Sequence, residues 1–352
     1  MRDIISMRDF TREDVDALLR EASRMEELLA SPERCAGILQ NRLVANMFFE
    51  ASTRTNQSFQ AAANRLGAKI LVFHPQSGSG AKGESFSDTM RMVDGYSDAV
   101  IVRHPCEGAA RLAADVCEHP VINAGDGGNQ HPTQAFIDLY TVRKLKGKVG
   151  GVKVVLFGDL AHARSMHSLL YGLSMFKAKI TLCSPPGLGM AEWMVEEARR
   201  KFGAKVAIEK KPDLSSADVL YTCRVQKERF GSPREADAAQ AAFRVSKKLL
   251  EGANEELAIL HPLPKVDEID AEVDSDPRAR YFEQAKNGVP VRMAALAMCM
   301  RGFGREGKGG RRVPGFSCKN QSCISGIEKA HWGWAEGAGL RVRCRYCERP
   351  AG

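Results

Sequence analysis

No apolar stretch among the 352 residues approaches the ~20 that a membrane-spanning helix needs. Met1-Arg2-Asp3 does not open a secretory signal, so a soluble cytoplasmic protein with no membrane partner is expected. A complete Gly-x-Gly-x-x-Gly is also missing. The apolar run Val152–Phe157 does end in Gly158-Asp159, but that pair alone gives dinucleotide binding little weight. The first 300 residues lack close cysteine pairs. Cys35, Cys106, Cys117, Cys183, Cys223 and Cys299 stand singly, which argues against a disulfide framework and for free thiols. That stretch also has almost no net charge. The chain is formally +8, yet Arg301–Gly352 holds eleven Lys/Arg against four Asp/Glu, a net +7. The basic character therefore sits in the tail, where it could face nucleic acid or an acidic protein surface.

What is present is apolar material, 44% of residues, in a length that suggests two or three domains. Thr11 precedes Val15, Leu18, Leu19 and Met25 at helical spacing, and Thr11 with Asp14 makes a capping-box pattern. Leu43–Phe49 reads as a buried strand. The helix after it places Phe59, Ala62, Ala63 and Leu66 on one face. Lys69–Phe73, Ala99–Val102 and Val121–Ile122 are further strands, with helices over Ser85–Tyr96 and Ala109–Val116. A Gly-rich turn over residues 123–131 opens a helix at Pro132, an allowed first-turn position. Thr133–Lys146 is expected to link this domain to a second strand–helix series. That series contains the strands Val152–Phe157, Lys179–Cys183, Val206–Ile208 and Val219–Thr222, and it closes at Ile259–Pro264. The fold class read from this alternation is α/β, two doubly wound parallel-sheet domains. The expected boundaries are 1–134 and 135–288, with the helix 289–303 packing back on the first domain. A linker over 304–313 and a small domain over 314–352 follow.

Ser52 falls where the first buried strand gives way to a helix, so it is placed at the N-cap with Thr53, Arg54 and Thr55 in the first turn. Free backbone N–H groups and the positive end of the helix dipole meet there. Three hydroxyls and a guanidinium complete a cradle suited to a phosphate. The plainer alternative is a Ser-capped surface helix. His131 lies at the end of a strand–helix unit, where open α/β sheets place ligands, and Arg164 sits at the end of the second domain's first strand.

Ser52-Thr53-Arg54-Thr55 between strand and helix resembles the carbamoyl-phosphate loop of the transcarbamoylases. Four further segments match in order: Lys82-Gly83-Glu84, Val102-Arg103-His104-Pro105, His131-Pro132-Thr133-Gln134 and His261-Pro262-Leu263-Pro264. They span most of residues 1–302, and the last motif points to the aspartate branch of the family. The resemblance implies transfer of a carbamoyl group from carbamoyl phosphate to L-aspartate, an early step of pyrimidine synthesis, with no cofactor for catalysis. It assigns Ser52, Thr53, Arg54 and Thr55 to the phosphate, with Lys82 supplied by a neighbouring subunit of a homotrimer. Thr55, Arg103 and His131 would polarise the carbonyl, and Gln134 would bind the carbamoyl amine. Arg164, Arg224 and Gln226 would hold the aspartate carboxylates, and Pro262 and Leu263 would offer backbone carbonyls. A loop serine used by the family would be Ser77 or Ser79. The Arg and Glu that relatives usually carry four apart beside the cradle are replaced by Asn56 and Gln60, an amide pair in place of an ion pair. An ornithine-type acceptor is the nearest rival, and the Arg224/Gln226 pair argues against it. A non-catalytic assembly scaffold is the other, and the intact cradle argues against that.

The tail carries Cys318-x4-Cys323 and, twenty residues on, Cys344-x2-Cys347. Two close pairs on a spacer are the layout of a structural four-cysteine zinc site, closed and therefore not catalytic. These segments resemble the zinc domain of the aspartate carbamoyltransferase regulatory chain, without that chain's nucleotide-binding domain. Feedback by CTP through such a domain is thus not expected, while the resemblance allows a larger assembly through the zinc domain. A nucleic-acid-binding ribbon using Trp332, Trp334 and Tyr346 is the alternative for the tail, and the fusion partner argues against it.

Overall fold

The computed structural model describes residues 3–73, 83–224, 232, 243–301, 311–313, 316–329, 333–336 and 341–350. Two compact units form, Met1–Thr133 with Val289–Gly352, and Gln134–Gly288.

The first unit begins with α1 (Arg12–Leu28) and α2 (Pro32–Ala36). The Thr11–Asp14 capping box is made in full and starts α1. Then β1 (Leu43–Phe48), α3 (Thr53–Arg65), β2 (Lys69–Val72), α4 (Phe86–Asp94), β3 (Ala99–His104), α5 (Ala109–Val116) and β4 (Val121–Asp126) alternate. The strands are parallel, in the order β2-β1-β3-β4. β1 and β3 are central and almost wholly buried, as their largely apolar sequence, broken by Asn46 in β1 and by Arg103 and His104 at the end of β3, requires in a sheet covered on both faces.

Two strands run further than the sequence suggests: β3, expected to end at Arg103, continues to His104, and β4 runs through Asn123–Asp126, read from the sequence as turn. β4 runs on because it stays paired with β3, His104 opposite Asp126 across a register shift, while an N-terminal segment far away in sequence takes its outer edge as far as Asn123. Ile4 bridges Ile122, the Asn123 amide N–H donates to Ile4 O at 2.8 Å, and the Asn123 side chain donates to Ile5 O at 2.8 Å. These bonds satisfy polar groups on the outer edge of β4.

α6 (Pro132–Lys146) follows, then β5 (Lys153–Phe157), α7 (Arg164–Met175), β6 (Lys179–Cys183), α8 (Glu192–Phe202), β7 (Lys205–Ile208), β8 (Val219–Thr222) and β9 (Ala258–Leu260). The second sheet is again parallel, in the order β7-β6-β5-β8-β9. The order reverses beside β5, which creates the switch point where open sheets bind ligands. α9 (Tyr281–Lys286) and α10 (Gly288–Met300) close the series. α10 is apolar on nearly every face, and its Val291 and Met293–Ala297 are buried. Its Arg292 lies over the Phe59 ring of α3, 5.0 Å from the centroid. The return of the chain to the first unit is thus packed as a core helix.

The tail adds a three-stranded antiparallel sheet, β10 (Arg311–Val313), β11 (Gly333–Glu336) and β12 (Arg341–Cys344), and a short helix, α11 (Ile324–Ile327). β10 occupies the end of the stretch expected to be linker. The tail belongs to the first unit: Cys323, Ile324, Cys344, Tyr346 and Cys347 share one buried cluster with β1, β3 and α5.

Candidate active site and metal centre

In the first unit, β1 delivers the chain to α3, and the Phe49 N–H donates to Arg103 O at 2.8 Å, tying the end of β1 to β3. Ser52 is the N-cap of α3, but its hydroxyl makes no capping bond. The first-turn N–H groups of α3 are therefore open at the end of a strand, as an anion site requires. Thr55 is buried, while Thr53 and Arg54 are exposed. Exposed as Arg54 is, the desolvation its guanidinium does meet holds it below its usual range, with no carboxylate contributing to that shift. A cavity of about 360 Å³ adjoins the cradle, lined by Ser52, Thr53, Asn56, Gln57 and Gln60. The Gln60 amide donates to Asn56 Oδ1, which also accepts from Asn46 Nδ2 at 3.1 Å, so the expected amide pair is an amide trio.

Arg103 is nearly buried. Its Nη1 donates to Ala124 O at 3.3 Å, and its Nε lies 3.1 Å from Glu50 Oε2. His131 is brought to the same end of the sheet by Asp126. That carboxylate accepts from Gly108 N at 2.7 Å, Asn123 Nδ2 at 2.8 Å, Asn129 Nδ2 at 3.0 Å and Gln130 N at 3.1 Å. Burial pushes the Asp126 carboxyl up to about 6, against the pull of those donors. The loop after β3 and the loop before His131 are thus one hydrogen-bonded body. His131 Nδ1 lies 3.4 Å from Thr133 Oγ1.

In the second unit, Gln134 donates through Nε2 to Asp138 Oδ1 at 2.8 Å. Asp138 also accepts from Tyr221 OH at 2.9 Å and Gln284 Nε2 at 2.6 Å. This fixes the amide of Gln134 with its oxygen as the remaining acceptor. Arg164 is the first residue of α7, Arg224 follows β8, and Pro262 with Leu263 follow β9. These are the carboxyl ends of three neighbouring strands. The Cys223 thiol, 3.6 Å from Asp159 O, joins the loops after β8 and β5. Leu263 has φ +54 and precedes a cis peptide to Pro264. His261 holds this turn: Leu263 N donates to its Nδ1 at 2.8 Å, and its Nε2 sits 2.8 Å from Glu268 Oε1. Lys82, Gln226, Ser77 and Ser79 lie outside the described residues.

The chain matches the carbamoyl-P binding domain of the aspartate/ornithine carbamoyltransferases over residues 2–144, and their Asp/Orn binding domain over 150–299. An aspartate carbamoyltransferase catalytic subunit from Methanopyrus kandleri is 46% identical over 86% of this chain and 98% of its own. The chain belongs to the aspartate carbamoyltransferase catalytic-subunit family. It is thereby a carbamoyltransferase. Among solved structures, the catalytic subunit of the Methanocaldococcus jannaschii aspartate transcarbamoylase is 41% identical, with a TM-score of 0.79 over 86% of this chain and 99% of that one. The Trypanosoma cruzi aspartate transcarbamoylase, solved with carbamoyl phosphate, is 38% identical, with a TM-score of 0.80 over 84% of this chain and 95% of that one.

Both family matches end before the tail. There, Cys318, Cys323, Cys344 and Cys347 place their sulfurs within 4.8 Å of one another, and all ten cysteines are free thiols. Cys318 and Cys347 are 3.7 Å apart, as are Cys323 and Cys344. Four thiolates about 2.3 Å from one tetrahedral ion would stand roughly 3.8 Å apart, so the set fits a metal such as zinc. Ser325 Oγ, 3.2 Å from Cys323 Sγ, supports one ligand from behind. Trp332 lies outside the described residues, and Tyr346 is buried, so Tyr346 does not present a stacking face for a base. Among the described residues no helix is long and apolar enough to cross a membrane.

Several residues escaped sequence reasoning. Glu50, Asp126, Asp138 and Glu268 hold the residues named above, and each acts on a partner that only the fold brings near. Asp126 and Glu268 lie close to recognised motifs, yet nothing in their spacing singles them out.

Proposed function

We propose that this carbamoyltransferase joins carbamoyl phosphate to L-aspartate, giving N-carbamoyl-L-aspartate and phosphate in pyrimidine synthesis. The observation that carries this reading is the uncapped start of α3 at the end of β1, with Arg103 and His131 at the same sheet end. The open amides of α3, with Ser52, Thr53, Arg54 and Thr55, hold the phosphate. Lys82 adds a cation from a neighbouring subunit of a homotrimer. The amine attacks the carbonyl carbon, a C–N bond forms, and the carbonyl oxygen takes up negative charge. Thr55, Arg103 and His131 stabilise that oxyanion as preorganised donors. The C–O bond to phosphate then breaks, and the amine proton leaves with phosphate or solvent. Gln134 accepts from the carbamoyl NH2 through the oxygen that Asp138 leaves exposed to it. Arg164, Arg224 and Gln226 take the two carboxylates, and the Pro262 and Leu263 carbonyls orient the substrates. No protein nucleophile is needed, because orientation and charge stabilisation suffice.

Zinc in the four-cysteine site is structural, and the tail serves as a regulatory-chain-like zinc domain fused to a catalytic chain of cytoplasmic residence. The test is product formation by the metal-loaded chain from carbamoyl phosphate, with L-aspartate and L-ornithine in parallel. Carbamoyl aspartate alone is expected. Citrulline would overturn the acceptor, and no product from either would overturn the catalytic reading.

A further inference from the structure

We infer that Glu328, in the cysteine-rich tail, is a positioning residue for the carbamoyl-phosphate half of the site, and that the metal controls it. This rests on the reaction proposed above. The Glu328 carboxylate accepts from Phe86 N at 2.8 Å, Ser87 N at 3.2 Å and Ser87 Oγ at 2.8 Å. Asp88 N is taken by Ser85 Oγ at 3.0 Å. The first three N–H groups of α4 are therefore all satisfied, two of them by a carboxylate 241 residues or more away in sequence. A negative charge at this end also meets the positive pole of α4.

The start of α4 is tied to the site on two sides. Phe86 packs its ring on His104 at 4.9 Å and on Phe49 at 5.4 Å. His104 adjoins Arg103, and Phe49 adjoins Glu50, the partner of Arg103. On the other side, Thr89 Oγ1 donates to Glu84 Oε2 at 2.8 Å, two residues after Lys82, which in the proposed trimer serves the neighbouring subunit's cradle. At its own end, Glu328 is the C-cap of α11, five residues after the N-cap Cys323, and its N–H donates to Ile324 O at 3.0 Å. A metal that holds Cys323 thus fixes α11, α11 aims Glu328, and Glu328 fixes the start of α4. The tail meets the same half of the site again at Glu107, whose N–H donates to Ser322 O at 2.8 Å and whose carbonyl accepts from Ile324 N at 3.0 Å.

The experiment compares the metal-loaded full chain with Glu328→Ala and Glu328→Gln, checking metal content of each. Hydrogen exchange at the Phe86 and Ser87 amides should quicken in Glu328→Ala. KM for carbamoyl phosphate should rise roughly 3- to 10-fold, the range that loss of a helix cap corresponds to, with kcat at saturation unchanged. Glu328→Gln keeps an acceptor oxygen and should give the smaller shift in both readouts. Chelating the metal from the wild-type chain should raise exchange at the same two amides and add nothing further in Glu328→Ala. Unchanged exchange and KM in both variants would overturn the inference, as would chelation that leaves those amides protected. A wild-type chain that fails to bind carbamoyl phosphate would sink the proposed reaction instead, and the exchange result would still decide the brace.

Discussion

Replacing Glu348 should cost about 3 kcal/mol of stability, because its carboxylate sits in a buried ion cluster. Glu348 Oε1 accepts from Arg111 Nη2 at 3.0 Å, Oε2 accepts from Ser6 Oγ at 3.0 Å, and Arg8 Nη1 lies 3.3 Å from Oε2. Arg111 Nη2 also pairs with Asp9 at 2.6 Å. All five residues are at most 5% exposed. Burial opposes the charge of Arg111, but Asp9 and Glu348 more than offset that, and the guanidinium is held above its usual range. The cluster is balanced, two carboxylates against two guanidiniums. Glu348→Ala would leave it with one excess buried positive charge. Breaking a buried pair typically costs ~3–5 kcal/mol, and the lower end applies because Asp9 still faces Arg111. Glu348→Gln keeps acceptor capacity and should cost about half as much. Glu348 has φ +62, a strain that both variants share with the native residue, so backbone effects cancel. The assay is urea unfolding at neutral pH with metal content verified. A double-mutant cycle with Arg111→Met should return a coupling above about 1.5 kcal/mol. A loss under about 1 kcal/mol in Glu348→Ala, with metal retained, would refute the reasoning.

Arg103→Ala should lower kcat by ~10²–10³ while the chain stays folded, since one oxyanion donor is removed; near-normal turnover in a steady-state assay would reassign that role. Gly108→Ala should loosen the tail, because Gly108 has φ +84 and a Cβ there would stand 2.5 Å from Tyr346 backbone and side-chain carbons. The backbone conformation alone costs about 1–3 kcal/mol, and faster metal loss to a chelator is the expected reading. Burial between Phe49 and Phe86 lowers His104 to about 4. Its folded value lies below the unfolded one, so the neutral ring's contribution is complete above about 6.5 and is lost as pH falls towards 4. A ring-proton NMR titration of His104 with its midpoint near 6.5 would contradict this.

The alternation of buried apolar runs with amphipathic ones, legible in the chain alone, already implied two parallel α/β sheets. Residue chemistry did as much for the cradle. Ser52-Thr53-Arg54-Thr55 after Leu43–Phe49 reads as a strand-to-helix turn, and the spacing of the four tail cysteines implied a closed metal site. These features are local, because they follow from helix period, strand burial and ligand spacing. Tertiary structure decided what depends on distant partners. β4 extends to Asp126 because His104 of β3 pairs with that residue, while Ile4 and Ile5 take its outer edge at Ile122 and Asn123. Gln134 presents its oxygen because Asp138 takes its amide. The tail became part of the first unit because Glu107, Arg111 and the start of α4 complement Ile324, Glu348 and Glu328. A hydrogen bond between residues so far apart along the chain leaves no periodicity in the sequence; only folding brings its two ends into contact.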